Sequence, residues 1–153
     1  MDAEHVGAVS ATLVAVGLGV AVLAITLTGW AEATFVTGAG GNAAEFGPIF
    51  VAQSYLGVTA AALLGAPVVA GVAGLVVGTR TFGPVEAAAS AGIGAALGSL
   101  GYVVVVIGLV VLLQGPAADQ AYGFLDALGP AAGTVLVSTL VAAASGVVGT
   151  WVG

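Results

Sequence analysis

Two neighbouring apolar segments, Pro48–Gly78 and Pro84–Gln114, constrain the fold of this chain more than any other feature of its sequence. Neither contains a Lys, Arg or Asp, and their only Glu is Glu86, close to the start of the second segment. About 20 apolar residues are enough for a helix to cross the ~30 Å hydrocarbon core of a bilayer. The two segments therefore predict a pair of transmembrane helices joined by a short loop at 79–83.

The composition extends this interpretation to the whole chain. Only 5% of the 153 residues are charged and 60% are hydrophobic, whereas roughly 25% of the residues of a soluble domain are charged. Two further segments, at about 6–28 and 130–152, are also long and apolar enough to cross a bilayer. We therefore predict an all-α integral membrane protein, in which residues 1–153 form a single membrane domain, a bundle of four transmembrane helices.

Proline and glycine mark the positions where we expect three of these helices to begin. A Gly-Pro pair precedes each of them, at Pro48, Pro84 and Pro130. Proline is favourable at the first helical position because the N–H that it lacks would have no acceptor within the helix. The connecting loops are accordingly predicted at 29–47, 79–83 and 115–129. Residues 46–48 and 82–84 share the sequence Phe-Gly-Pro, which fits either an internal duplication or a common helix start.

The charge balance limits the partners that the chain can bind. Seven acidic residues stand against one basic residue, for a formal net charge of -6. Without a basic patch the chain cannot neutralise the row of phosphates on a nucleic acid, so nucleic acid is excluded as a partner and the lipid bilayer is the expected surrounding. The lack of Cys excludes disulfides and thiolate chemistry. Acidic residues combined with abundant Ala, Gly and Val are typical of a salt-adapted, haloarchaeal-like protein.

A small group of charged residues predicts the orientation of the chain. Arg80 is the only Lys or Arg, and the positive-inside rule places it on the cytoplasmic side of the cell membrane. With four spans, both termini then also face the cytoplasm. His5 and Glu86 lie at the same predicted edge, so His5, Arg80 and Glu86 form a candidate charge cluster. Glu86 fits a carboxylate that stabilises the start of its helix, and proton or ion handling is the alternative.

Polar residues inside the second and third predicted spans form a candidate intramembrane patch. The second span contributes Gln53, Ser54, Tyr55 and Thr59, and the third contributes Ser99 and Tyr102. Two interpretations fit these residues. They either line a small polar cavity or form hydrogen bonds between helices and back to carbonyl groups, each of about 1 kcal/mol or less.

Small residues spaced four apart occur in every predicted span. In lipid, helices associate through close contact between small residues, because no hydrophobic force drives them together. The Ala, Gly, Ser and Thr content is so high that such strips also arise by chance, and the sequence leaves open which helix face packs. The strips are Gly7-Ala11-Ala15-Gly19, Ala66-Ala70-Gly74-Gly78, Ala87-Ala91-Ala95-Ser99 and Ser138-Ala142-Gly146-Thr150.

The sequence contains no pattern that indicates catalysis. A single His cannot supply a metal cluster, and neither a phosphate-binding loop nor a dinucleotide-binding fingerprint occurs. We therefore expect no catalytic residues, no metal and no cofactor, and predict that the chain is not an enzyme. The favoured function is a structural or accessory subunit of a homo- or hetero-oligomeric membrane assembly. The alternative is a small oligomeric channel or transporter for an ion or small solute.

Overall fold

The computed structural model describes residues 2–37, 40–113 and 124–153. These ranges form four long helices and contain no strand: α1 at Ala3–Glu32, α2 at Asn42–Gly78, α3 at Pro84–Leu113 and α4 at Phe124–Val152, with a π-helical segment at Ala33–Thr37 directly after α1. Four stretches are long and apolar enough to cross a membrane: Ala3–Thr37, Phe46–Gly78, Pro84–Leu109 and Leu128–Val152. The prediction of an all-helical chain with four helices of membrane-crossing length is confirmed.

The helix ends differ from the predicted ones at two of the three Gly-Pro pairs. Pro84 begins α3, where the carbonyl of Gly83 accepts a hydrogen bond from the Ala87 N–H at 2.9 Å. Pro48 and Pro130 instead lie inside α2 and α4. A proline inside a helix removes one backbone hydrogen bond, and long apolar helices tolerate this loss where neighbouring groups compensate.

The helices consequently extend into two of the predicted loops. Most of the predicted loop 29–47 is helical, because α1 and the π-helical segment continue to Thr37 and α2 begins at Asn42. The last six residues of the predicted loop 115–129 belong to α4, which begins at Phe124. Gln114 and residues 115–123 lie outside the described residues. The predicted loop 79–83 separates α2 from α3 as expected.

Local hydrogen bonds explain where α1 begins and how α2 turns into α3. The Oδ1 of Asp2 accepts a hydrogen bond from the Glu4 N–H at 3.0 Å, which caps the first turn of α1. After α2, the N–H groups of Arg80 and Thr81 donate to the carbonyls of Val77 and Gly78 at 3.0 and 3.3 Å. The chain therefore reverses direction within a few residues, and α3 runs antiparallel to α2.

The closest packing joins helices that run in the same direction, α1 with α3 and α2 with α4. The hydroxyl of Ser10 donates to the carbonyl of Gly94 at 2.9 Å, and further along both helices Gly17 lies against Tyr102. In the same way, Gly74 lies against Ala142 and one turn further Gly78 lies against Gly146. Each helix therefore packs most closely on the next-but-one helix in the sequence.

Antiparallel contacts complete the arrangement. Gly146 of α4 lies against Ala87 of α3, and Gly92 of α3 lies against Ala143 of α4. α2 contacts both α1 and α3, whereas α1 and α4 make no contact within the described part of the chain. In cross-section α2 and α3 therefore occupy the middle of the assembly, and α1 and α4 flank them on opposite sides.

The interior consists mainly of small side chains. Three of the four small-residue strips seen in the sequence lie on the inner face: those of α2 and α3 are fully buried, and that of α4 is buried except for the half-buried Thr150. The strip of α1 faces outward, because Gly7, Ala11, Ala15 and Gly19 are all exposed. α1 instead buries a strip that contains Val9, Leu13, Gly17 and Ala21. Larger side chains fit here because α1 packs on the glycines of α3.

Candidate functional site

Tyr102 of α3 is the most centrally placed of the predicted site residues. Its side chain is 2% exposed, and its hydroxyl donates to the carbonyl of Ala62 in α2 at 2.7 Å. The ring lies against Gly17 of α1, where an added Cβ would come within 3.0 Å of the Tyr102 Cδ2 atom. Tyr102 therefore connects three helices, and its position depends on a glycine in α1 that leaves room for the ring.

The hydroxyl groups of the predicted patch bond mainly to their own helices. Ser54 donates to the carbonyl of Phe50 at 2.9 Å, Thr59 to that of Tyr55 at 2.8 Å, and Ser99 to that of Ala95 at 2.6 Å. These bonds to the residue four positions earlier satisfy the hydroxyl within the helix. The geometry matches the hydrogen-bonding interpretation of these residues and needs no polar cavity.

The structure does not bring the six patch residues together. Ser99 and Tyr102 are buried, whereas Gln53 and Thr59 are exposed on the outer face of α2. Ser54 and Tyr55 are half-buried. The patch therefore separates into an interior part on α3 and an outward-facing part on α2.

Tyr55 belongs to a different constellation, at the end of the α1–α2 pair. Its hydroxyl donates to the Oε1 of Glu32 at 2.8 Å, which links the last turn of α1 to α2. Beyond this bond, the rings of Phe35 and Phe50 stack with their centroids 5.2 Å apart, and Trp30 meets Phe35 edge-on at 5.7 Å. Aromatic side chains of this kind favour the border between the hydrocarbon and the headgroups.

Sequence reasoning missed the pairing of Glu32 with Tyr55. The prediction of a loop over 29–47 separated the two residues, although an extended α1–α2 hairpin places them opposite one another. The π-helical segment Ala33–Thr37 follows Glu32 directly, and Gly47 of α2 approaches the carbonyl of Phe35 so closely that an added Cβ would overlap it. A glycine at the point of closest approach was the signal available in the sequence.

The charged residues of the predicted cluster lie at the opposite end of the assembly. His5 is in the first turn of α1, Glu86 in the first turn of α3, and Arg80 in the exposed turn after α2. The Nδ1 of His5 lies 3.1 Å from the Oδ2 of Asp2, although the two atoms are not aligned as a hydrogen bond. The N–H of Asp2 also lies 3.3 Å from the Ser90 Oγ, to which it donates. The start of α1 is thereby fixed to α3.

An apolar groove runs along the outer surface between α2 and α4. Its volume is about 470 Å³. Its floor is at Gly71, where an added Cβ would lie 3.0 Å from the Cγ1 of Val141, and its rim includes the well-exposed Val68 and Val72. The lining residues are Pro67, Val68, Gly71, Val72, Leu75 and Val141.

Within the described ranges, no three His, Asp or Glu side chains are grouped so that they could hold a metal ion. Comparison with known proteins adds no further information. No protein-family model, no curated protein and no solved structure matches this chain.

Proposed function

We propose that this chain is a small, non-enzymatic, multi-pass protein of the cell membrane, whose four helices cross the bilayer as a bundle. In this proposal it serves as a structural or accessory subunit of a homo- or hetero-oligomeric membrane assembly. The observation that carries the proposal is the distribution of side-chain size, with small residues inside and large apolar residues outside.

The interior supports this function because backbone contact fills it. Gly74 and Gly78 of α2 lie against backbone atoms of Ala142 and Gly146 in α4. Ala91 and Ala95 of α3 are completely buried in the same core. Small residues that let backbones approach closely are the usual means by which helices associate in lipid.

The outer surface supports it because it carries most of the large apolar groups. Leu56, Leu64 and Val104 are 72%, 67% and 68% exposed, and many similar side chains share this property. Soluble monomers rarely expose contiguous apolar patches of more than a few hundred Å². In a bilayer the same surface is compatible with acyl chains and with the helices of other membrane proteins.

The proposal includes the orientation predicted from the sequence. The α2–α3 turn, the first turn of α1 and the end of α4 lie at one end of the assembly, where Gly153 packs against Thr79. Arg80 belongs to this end, so the positive-inside rule assigns it, together with both termini, to the cytoplasm.

The proposal is tested by extracting the protein from its own membrane in a mild, lipid-retaining medium. Chemical cross-linking and native mass spectrometry should then find it in a homo-oligomer or with another membrane protein. Replacing Leu56 or Leu64 by Trp on the exposed face of α2 should weaken the assembly if that face is the interface. Recovery only as a single chain, at natural expression levels and with no cross-linked neighbour, would contradict the proposal.

One observation favours the channel or transporter alternative. Gln53 and Thr59 are polar side chains that are both exposed on the outer surface of α2, a long and mainly apolar helix. A pathway lined by these residues would run between copies of the chain. Ion or solute flux into liposomes that disappears in Gln53→Leu would support this alternative, and liposomes without flux would remove it.

A further inference from the structure

The groove between α2 and α4 is lined by apolar residues and has a length that suits an acyl chain. From Pro67 to Leu75 it follows eight residues of helix, or about 12 Å at 1.5 Å per residue. The hydrocarbon of one bilayer leaflet is about 15 Å thick, so an acyl chain in that leaflet can follow the whole groove.

The position of the groove along α2 matches one leaflet of a bilayer. Arg80 follows Pro67 by 13 residues, which corresponds to about 20 Å along the helix. Half of a bilayer measures about 15 Å for the hydrocarbon and about 20–22 Å with its headgroups. A lipid whose acyl chain reaches Pro67 would therefore have its phosphate at the level of Arg80.

Arg80, which follows the Leu75 end of the groove along the chain, carries the positive charge that a phosphate group requires. Arg80 is the only Lys or Arg in a chain of net charge -6. It is exposed, and it forms no salt bridge with any residue that the structure describes. Guanidinium groups bind phosphates with two parallel hydrogen bonds, and a basic residue near a membrane surface contributes about 1 kcal/mol of attraction to anionic lipid.

We propose that this groove binds one anionic phospholipid from the leaflet on the Arg80 side. One acyl chain lies on Gly71 between Val68, Val72 and Leu75, and the phosphate contacts Arg80. The proposal goes beyond the structural function suggested above and requires only that the helices cross the membrane.

The test uses the full-length chain in nanodiscs that contain phosphatidylglycerol and phosphatidylcholine in equal amounts. Native mass spectrometry then counts the lipids that the released protein retains and identifies their headgroups. Val72→Phe and Val68→Phe fill the groove from its rim without reaching the helix–helix core. Leu64→Phe is the matched control, since Leu64 is equally exposed on α2 but does not line the groove. Arg80→Gln removes the charge, and Arg80→Lys retains it.

The wild type and Leu64→Phe should each retain one phosphatidylglycerol, at about fivefold preference over phosphatidylcholine, the equivalent of about 1 kcal/mol. Val72→Phe and Val68→Phe should lose most of the retained lipid. Arg80→Gln should retain lipid with no headgroup preference, whereas Arg80→Lys should keep the preference. The proposal is overturned if the wild type retains no lipid, or if both groove variants retain as much lipid as Leu64→Phe. It is also overturned if the wild type is a lipid-free dimer that Val72→Phe converts to monomers, because a second copy then fills the groove.

Discussion

Replacing Gly74 by alanine tests whether backbone contact holds α2 against α4. The added Cβ would overlap the carbonyl oxygen of Ala142 and lie 2.9 Å from its Cα, whereas ordinary van der Waals contact begins at 3.4 Å. The obstructing atoms belong to backbone, so no side chain can rotate away to make room. The two helices must therefore separate by several tenths of an ångström or more along this seam.

The expected loss of stability follows from two opposing contributions. Extra carbon atoms in a closely packed interior cost about 1–3 kcal/mol. The clash of Gly74→Ala is with backbone atoms, so the upper part of this range applies, about 2–3 kcal/mol. Alanine gains up to about 1 kcal/mol over glycine in helix propensity, so the net loss in free energy of unfolding should be about 1–2 kcal/mol. Gly57→Ala is the matched control, because it lies on the same helix with nothing within 4 Å of the added Cβ. The control should be neutral or more stable than the wild type.

The measurement is equilibrium unfolding in mixed micelles as the proportion of a denaturing detergent rises. Fluorescence of the two tryptophans, Trp30 and Trp151, follows the loss of tertiary structure, and far-ultraviolet circular dichroism reports on the helices. Equal midpoints for Gly74→Ala and Gly57→Ala would refute the inference that α2 and α4 are in backbone contact.

Three further predictions use the same chain. Tyr102→Phe removes the hydroxyl that donates to the Ala62 carbonyl, and should lower the free energy of unfolding by about 1 kcal/mol; an unchanged midpoint in the same assay would contradict the bond. Gly41 has φ 65° and ψ -140°, a conformation close to one that only glycine adopts readily, so Gly41→Ala should cost about 1–3 kcal/mol. Gly41→Asn should be as unstable as Gly41→Ala, since Asn favours the left-handed region, where ψ is positive. A Gly41→Asn variant as stable as the wild type would contradict the negative ψ of Gly41. The chain has no Cys, so single cysteines can report which side of the membrane each loop faces. If Arg80 is cytoplasmic, a membrane-impermeant maleimide applied to intact cells should label Gly40→Cys but not Thr79→Cys. Labelling of Thr79→Cys alone would place Arg80 outside.

The number and type of the elements could be predicted because lipid restricts the choices. A chain with 5% charged residues must satisfy its backbone hydrogen bonds internally, and helices do so within each segment. The sequence left the inner faces open, although in α2 and α3 the strips that begin at Ala66 and Ala87 are the buried ones. These strips combine small size with a four-residue spacing, which is the requirement of close helix contact.

Neither the helix ends nor the inner face of each helix could be predicted by the same reasoning. Pro48 and Pro130 resemble helix starts, yet each lies inside a helix, because the loss of one hydrogen bond does not outweigh the continuation of a long apolar helix. In α1 the small residues from Gly7 to Gly19 face outward, and the glycines that allow contact lie on α3 at Gly94 and Gly98. A contact needs a small residue on only one side, and a single helix does not show which side supplies it.

The pairing of α1 with α3 and of α2 with α4 has a consequence for how the protein is made. In the proposed membrane topology, the first two helices leave the ribosome and enter the bilayer before the partner on which each packs most closely has been synthesised. The surfaces around Gly17 and Gly74 therefore stay open to lipid until the second half of the chain arrives. In this topology folding is complete only when the α3–α4 hairpin packs against the α1–α2 hairpin. A factor that shields the α1–α2 hairpin until then would have to recognise the surfaces around Gly17 and Gly74.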